Sequence, residues 1–288
     1  MNSKARRSAL DGLRPVPNSG LSGNRAGSLS MTGKMVETVP LFRDNPYLRA
    51  CAARVVSCDD QGIRLDRTVY YPRGGGQPGD SGVMRLSDGR IMLIVDTVKG
   101  EGDEILHIPS PIEPMPEPGM LVDLVIDWKR RYMLMRTHTC LHLLMTLVPG
   151  QINGAQVSEG KGRIDFDVEL CSLDKADLEA KLNALIERDL HISPRWIDEA
   201  ELKAKPELVR TMAVSPPSSG GRVRLIDIEE IDLQPCGGTH VASTGEVGRV
   251  RVVKIDNKGR HNRRVSVELI DETPDFPVSG AEFRLFPA

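Results

Sequence analysis

Two short motifs, separated by about a hundred residues, constrain how this chain can fold. His138 and His142 are four residues apart, and Cys236 and His240 have the same spacing with two glycines between them. On a helix, residues four apart share one face, so the two histidines can hold one ion. The glycines allow a tight turn that brings the cysteine and the third histidine to the same centre. A fold that joins these motifs must place the helix beside the glycine turn.

The ligand set of three imidazoles and one thiolate suits Zn²⁺, whereas Mg²⁺ and Ca²⁺ prefer oxygen. A lone histidine pair in an apolar helix is more often packed than ligated, but the second pair favours a metal. We therefore expect one zinc ion per chain, bound by four residues: His138, His142, Cys236 and His240.

Two common zinc hydrolases do not fit these motifs. A zinc peptidase helix carries His-Glu-x-x-His with the glutamate as general base, and here Thr139 stands in place of that glutamate. A nucleobase deaminase carries Pro-Cys-x-x-Cys, and here Thr239 stands in place of the second cysteine. The purpose of the metal must be sought elsewhere in the chain.

Composition limits the compartment and the number of domains. The chain of 288 residues can hold one large domain or two medium ones. Its five cysteines are irregularly spaced and odd in number, which argues against a disulfide framework and for a reducing, cytoplasmic location. No apolar run approaches the length of about eighteen residues that spans a membrane, so we expect no membrane association.

Residues 1–34 differ from the rest of the chain. They are rich in serine and arginine and hold one acid, Asp11, which is also the composition of organellar targeting segments. Pro15 and Pro17 break any amphipathic helix there, so we expect a disordered extension instead.

The pattern along the chain predicts an α+β protein with two structured domains. Short alternating runs predict strands in the first half, at 53–58, 62–66, 68–70, 90–97, 104–107 and 120–127. Residues 35–127 are therefore expected to form a small β-barrel that carries a glycine-rich loop. Residues 128–288 are expected to form an antiparallel sheet with helices on one face. Its helices are predicted at 128–148, after a cap at Ser172 or Asp174, and at 199–208; its strands at 162–168, 222–228, 248–256 and 263–270.

Two further segments could contact a ligand. Gly74, Gly75 and Gly76 open the backbone to close approach, and the amide of Gln77 follows them. A flexible hairpin turn is the alternative for this loop. Residues 251–264 hold six lysines and arginines against one acid, a balance that suits a phosphate backbone. A solvated hairpin is the alternative for this segment.

Taken together, these segments resemble the editing domain of alanyl-tRNA synthetase and its freestanding relatives, the AlaX trans-editing proteins. The resemblance runs in order from about Leu41 to Ile270 and covers residues 71–82, 136–144, 162–166, 232–241, 244–248 and 254–264. In length the chain is similar to the medium-sized AlaX type. The resemblance implies a β-barrel followed by the α+β editing domain that threonyl- and alanyl-tRNA synthetases share.

The implied activity is zinc-dependent hydrolysis of mischarged tRNA(Ala), chiefly seryl-tRNA(Ala), with glycyl-tRNA(Ala) as a further substrate. A non-catalytic, zinc-stabilised tRNA-binding module is the alternative. Aminoacylation is not expected, because the chain shows no ATP-site motif, and no obligate protein partner is evident. We expect zinc to position the substrate's amino group more than to activate water, since four protein ligands leave little room for it.

Roles follow for residues outside the ligand set. Gln77 is expected to support the reaction electrostatically, and Thr139 and Thr239 are candidates for contacting the serine hydroxyl. Substrate binding is expected from the three glycines and from the basic strand, namely Gly74, Gly75, Gly76, Lys254, Lys258, Arg263 and Arg264.

Overall fold

The computed structural model describes residues 37–111, 115–168, 173–205, 208–209, 218–259 and 261–270. The expected extension over residues 1–34 lies outside this part of the chain, as do Ser172 and Arg260.

The first half of the described chain consists of strands. They are β1 (Val39–Pro40), β2 (Ala50–Asp59), β3 (Gly62–Leu65), β4 (Arg67–Thr68), β5 (Gly82–Leu86), β6 (Ile91–Lys99), β7 (Ile105–Pro109) and β8 (Leu121–Ile126). Six of these strands close into a barrel in the order β2-β3-β7-β6-β5-β8, with every neighbouring pair antiparallel. Alternate residues such as Val55, Met84 and Leu124 are buried inside it. The predicted small barrel is confirmed.

Strand β5 was not predicted. It begins at Gly82, and a Cβ on that residue would lie only 2.2 Å from the carbonyl oxygen of Val125 on β8. A glycine is required at this position because the two strands approach closely. This requirement comes from tertiary packing, and the pattern of hydrophobic residues in the sequence does not reveal it.

In the described residues, three α-helices follow the barrel strands: α1 (Trp128–Leu147), α2 (Lys175–Glu187) and α3 (Glu199–Ala204). Asp127 caps α1 by accepting from the amide of Arg130 at 3.1 Å. Asp174 caps α2 in the same way, so the cap of α2 is the second of the two predicted residues. Helix α3 ends at Ala204, four residues before the predicted end.

The remaining strands form two four-stranded sheets. They are β9 (Gln151–Ser158), β10 (Lys161–Asp167), β11 (Ile192–Asp198), β12 (Ser218–Ser219), β13 (Arg222–Ile228), β14 (Asp232–Pro235), β15 (Val250–Asn257) and β16 (Asn262–Leu269). One sheet has the order β15-β16-β10-β9; in the other, β13 pairs with β11, β12 and β14. The first sheet buries Ile164, Val252 and Val265 on the face that carries α1 and α2. The α+β class with helices against an antiparallel sheet is confirmed.

None of the described helices combines the length and the apolar character that a membrane crossing requires.

Candidate metal centre

The structure brings the four predicted ligands together. Helix α1 carries His138 and His142, and the turn after β14 carries Cys236 and His240. Their ligand atoms all lie within 4.8 Å of one another. Cys236 Sγ is 3.2 Å from His240 Nε2 and 3.6 Å from His138 Nε2. All four residues are buried, as a site that excludes water requires.

The outer nitrogens of two imidazoles are held by neighbouring side chains. His138 Nδ1 lies 2.8 Å from Gln77 Oε1, and His240 Nδ1 lies 3.1 Å from Thr139 Oγ1. Since an amide oxygen can only accept, the Gln77 contact places the His138 proton on Nδ1. Nε2 then presents its lone pair to the cluster, which is the form that binds a metal.

Strand β14 supplies the outer contacts of the third imidazole. His142 Nδ1 lies 3.0 Å from the side-chain Nε2 of Gln234, which can only donate, and 3.6 Å from Asp232 Oδ2, which can only accept. These two contacts favour opposite tautomers of His142, so they do not assign its proton as the Gln77 contact assigns that of His138. The donor set itself fits Zn²⁺, because three imidazoles and one thiolate converge on one point.

The electrostatics of the cluster favour the thiolate. Burial opposes the negative charge of Cys236, but the surrounding histidines outweigh it and lower the pKa of the thiol well below 9.0. Burial also opposes the positive charge of His142, yet Cys236 and Asp232 together raise its pKa to about 9. For His240, burial and the neighbouring His138 lower the pKa to about 3. A thiolate thus faces imidazoles that compete for one proton, an arrangement that a cation would satisfy.

The glycine-rich loop is a tight turn packed against β9. The backbones of Gly74 and Gln77 exchange two hydrogen bonds of 2.9 and 3.1 Å across it. Gly75 and Gly76 occupy the turn with φ of 56° and 82°, which glycine adopts without strain. A Cβ on Gly76 would lie 2.4 Å from the carbonyl oxygen of Ala155, so the turn meets β9 backbone to backbone.

This turn delivers Gln77 to the metal cluster. Gln77 Nε2 donates to Thr239 Oγ1 at 2.8 Å, and its Oε1 accepts from the Thr239 amide at 3.2 Å as well as from His138. The side chain is only 1 % exposed. One amide therefore connects the barrel loop with both ligand-bearing segments.

A buried ion pair fixes the base of the loop to α1. Arg131 Nε lies 3.0 and 2.9 Å from the two carboxylate oxygens of Asp80. The same carboxylate accepts from the amide of Tyr71 at 2.6 Å, and Arg131 also donates to the Val69 carbonyl at 2.7 Å. Both ends of the glycine-rich segment are thereby held to the helix that carries His138.

The segment after His240 is held by Glu246. Its carboxylate accepts from the hydroxyls of Tyr47 and Tyr132 at 2.7 and 2.8 Å, and from the amide of Ala242 at 2.9 Å. Tyr132 belongs to α1, so this network ties the fourth ligand's loop to the helix that supplies the first two.

Two of the four basic residues predicted to bind substrate have acidic partners. Lys254 Nζ lies 2.7 Å from Asp256, and Arg264 makes two contacts of 2.6 and 2.7 Å with Asp165. Lys258 is exposed beyond the end of β15. Phosphate binding by Lys254 and Arg264 would therefore have to compete with carboxylates.

Arg263 has a different environment from its neighbours. It is buried, and its Nη1 donates to Asn257 Oδ1 at 2.8 Å and to the Gly259 carbonyl at 2.9 Å. These contacts hold the turn between β15 and β16.

Asp232, Gln234 and Arg224 lie near the cluster and were missed from the sequence. Asp232 and Gln234 alternate along β14 with the predicted ligand Cys236 just beyond it, and this period of two could have shown that they share a face. Arg224 is 2 % exposed and donates to the carbonyls of Cys236 and Gly238 at 2.8 and 3.0 Å. An arginine in a strand gives no sequence signal of this kind, because such residues mostly face solvent.

Comparison with known proteins agrees with the geometry. Residues 223–266 match the family described as the threonyl and alanyl tRNA synthetase second additional domain. The chain is 36% identical over 236 residues to alanyl-tRNA editing protein AlaX-M of Methanosarcina acetivorans, covering 78% of this chain and 96% of that protein. It is 34% identical to AlaX-L of Pyrococcus horikoshii, over 80% of this chain and 57% of that protein. It is 33% identical to alanine–tRNA ligase of Aeropyrum pernix, over 75% of this chain and 24% of that enzyme.

Proposed function

Because the chain belongs to the family of alanyl-tRNA editing proteins, we propose that it is a trans-editing aminoacyl-tRNA hydrolase of the cytoplasm. The substrate is mischarged tRNA(Ala): chiefly seryl-tRNA(Ala), and also glycyl-tRNA(Ala). The reaction hydrolyses the ester between the amino acid and the terminal ribose, which releases the free amino acid and uncharged tRNA.

The side chains in and around the metal cluster have different roles in this reaction. Gln77 and the backbone amides of the turn after β14 supply hydrogen-bond donors at a buried site, where they stabilise charge that develops on the ester. Thr239 accepts from Gln77, so its own hydroxyl proton remains as a donor for the serine hydroxyl. Thr139 faces His240, and its hydroxyl positions that ligand. Zn²⁺ held by the four ligands would supply an anchor for the substrate's amino group.

Selection of serine over alanine requires such a polar contact. A site that hydrogen-bonds a hydroxyl discriminates strongly against an analogue that lacks it, because its own polar groups are then left unpaired. Thr239 is fully buried, which increases the cost of leaving it without a partner.

The tRNA contacts belong to the loop and to the β15–β16 hairpin. The backbone of Gly74, Gly75 and Gly76 permits close approach of the terminal nucleotide, while Lys254, Lys258 and Arg264 meet phosphates farther along the acceptor stem. Arg263 supports this surface by holding its turn.

The observation that carries the proposal is the Gln77 side chain, which joins the glycine turn to His138 and Thr239. The Oε1 atom of Gln77 supports the metal site through His138, whereas its Nε2 donor faces Thr239, which is not a metal ligand. The closed set of four protein ligands favours the alternative, a zinc-stabilised tRNA-binding module without catalysis.

Deacylation of Ser-, Gly- and Ala-tRNA(Ala), measured side by side, tests the proposal. The expected order of rates is serine first, glycine second, and alanine spared. Tight binding of tRNA(Ala) with no acceleration of ester hydrolysis over buffer would instead support the non-catalytic module.

A further inference from the structure

The turn that carries Cys236 is linked to an arginine of the barrel half. Cys236 is 8 % exposed, more than any of the three histidine ligands, so its turn forms the edge of the cluster nearest to solvent. The guanidinium of Arg224 donates to the Cys236 carbonyl at 2.8 Å and to the Arg43 carbonyl at 3.2 Å. The backbone of Arg43 is therefore separated from this edge by one side chain, that of Arg224.

Positive charge accumulates at this edge. The charge of Arg43 lies near enough to act on Arg224, and so does the opposite charge of the exposed Asp44. Within the described ranges, neither guanidinium forms an ion pair with a carboxylate. Two guanidinium groups outweigh one carboxylate, so this edge keeps a net positive charge that favours an anion.

A second cation lies across the glycine turn. A Cβ on Gly74 would be 3.3 Å from Lys99 Cε and 3.5 Å from Lys99 Nζ. The backbone of Gly74 pairs with that of Gln77. The Lys99 ammonium therefore lies beside the turn that delivers the Gln77 amide to the metal cluster. Lys99 is exposed, and no acid in the described part of the chain pairs with it.

Arg43 and Lys99, here called the cationic rim, contrast with the basic residues of β15 and β16. Lys254 and Arg264 are paired with carboxylates. Arg43 adjoins Arg224 and Lys99 adjoins Gly74, and neither rim cation forms an ion pair with an acid in the described part of the chain. In an aminoacyl-tRNA, the phosphate nearest to the ester is the 5′ phosphate of the same terminal nucleotide. A cluster that receives the ester therefore has a phosphodiester at its edge.

We propose that the cationic rim binds the phosphates of the single-stranded 3′ end of the tRNA and so places the ester over the metal cluster. The inference rests on the proposed function, because it is that function which brings an aminoacyl ester to this site. It assigns tRNA-end contacts to the barrel half of the chain, in residues outside the glycine turn and the basic strands.

The test compares two substrates that share the ester and differ in phosphates: seryl-tRNA(Ala) and seryl-adenosine. Arg43→Met and Lys99→Met should each lower kcat/KM for seryl-tRNA(Ala) about fivefold at about 0.1 M salt, through KM, since one single-strand phosphate contact contributes about 0.7 to the salt slope. Hydrolysis of seryl-adenosine, which has no phosphate, should be unchanged. An equal loss on both substrates, or no loss on either, overturns the proposal.

Two control variants remove matched charges elsewhere. Lys181 lies on α2 and Arg188 directly follows this helix; both are exposed and are paired with Asp177 and Glu230 respectively. Lys181→Met and Arg188→Met should leave both substrates unaffected. If these variants lower kcat/KM for seryl-tRNA(Ala) as much as the rim variants do, the effect comes from the net charge of the protein. That result would contradict a local contact between the rim and a phosphate.

Equilibrium binding separates this inference from the proposed reaction. For an uncharged acceptor-stem minihelix, each rim variant should lower the slope of log K against log salt by about 0.7. For a minihelix without the single-stranded 3′ end, the variants should match the wild type. If the variants change these salt slopes while the wild type hydrolyses neither ester, the rim binds phosphates as proposed but the proposed reaction is wrong. Unchanged slopes overturn the rim whatever the hydrolysis shows.

Discussion

Replacing Gln77 tests whether one amide organises the metal cluster. Its Oε1 accepts from His138 Nδ1 and from the Thr239 amide at 2.8 and 3.2 Å, at a position that is 1 % exposed. Gln77→Ala leaves both buried donors without an acceptor. Each such loss costs about 1–3 kcal/mol, so we expect about 2–6 kcal/mol less stability.

The same change should weaken the metal site. An outer partner of a ligating histidine typically contributes 10–100-fold to metal affinity, or about 1.4–2.7 kcal/mol. We expect Gln77→Ala to raise the Kd for Zn²⁺ by that factor, because His138 then loses the contact that keeps its Nε2 lone pair toward the cluster. Competition titration against a chromophoric zinc chelator measures this Kd, and thermal unfolding of the zinc-free protein measures the stability term separately.

Gln77→Glu is the matched control. A carboxylate keeps an acceptor for His138 and for the Thr239 amide, and it makes the histidine more basic, so zinc affinity should equal or exceed that of the wild type. Hydrolysis should still fall, because the amide donor has been removed. Zinc affinity that is unchanged in Gln77→Ala, or lost equally in both variants, would refute the role of Gln77 as an acceptor for the ligand.

Two further predictions concern the fold around the site. Gly76→Ala should lower the free energy of unfolding by about 1–3 kcal/mol more than Gly75→Ala in chemical denaturation, because its Cβ meets the Ala155 carbonyl at 2.4 Å whereas Gly75 faces open space; equal losses would contradict the close packing of the turn on β9. Burial lowers the pKa of His107 from 6.5 to about 4, although a hydrogen bond to the Ile63 carbonyl opposes it. The unfolded chain therefore takes up a proton that the folded chain refuses, and stability present above pH 6.5 should fall by about 3 kcal/mol as the pH drops to 4. His107→Gln should lack this part of the pH dependence, and identical pH profiles for the two proteins would show that His107 does not cause it.

Local signals were sufficient for the elements that carry the site. Helix α1 was predictable because Asp127 caps it and Pro149 follows it, and the spacing of His138 and His142 on that helix indicated a shared ligand. The turn holding Cys236 was marked by its glycines. The helix, its histidine pair and the glycine turn could therefore be predicted, because each is specified by residues close together in the sequence.

Long-range packing accounts for what was not predicted. Gln77 reaches Thr239 across 162 residues, and nothing in the loop's own sequence separates that contact from a flexible hairpin. The pairing of Arg264 with Asp165 depends on the register between β16 and β10, so a basic run in the sequence overstates the free charge. Arg224 was missed because its partners are backbone carbonyls, which no residue pattern records.

Hydrolysis of the mischarged ester should require a metal held by the four ligands. Zinc content and the rate of seryl-tRNA(Ala) deacylation, measured on one preparation during stepwise chelation, test this requirement. We expect one zinc per chain at the start and a rate that falls in proportion to the zinc removed, with Cys236→Ala matching the fully chelated protein. A full rate from zinc-free protein, or from Cys236→Ala, would contradict it.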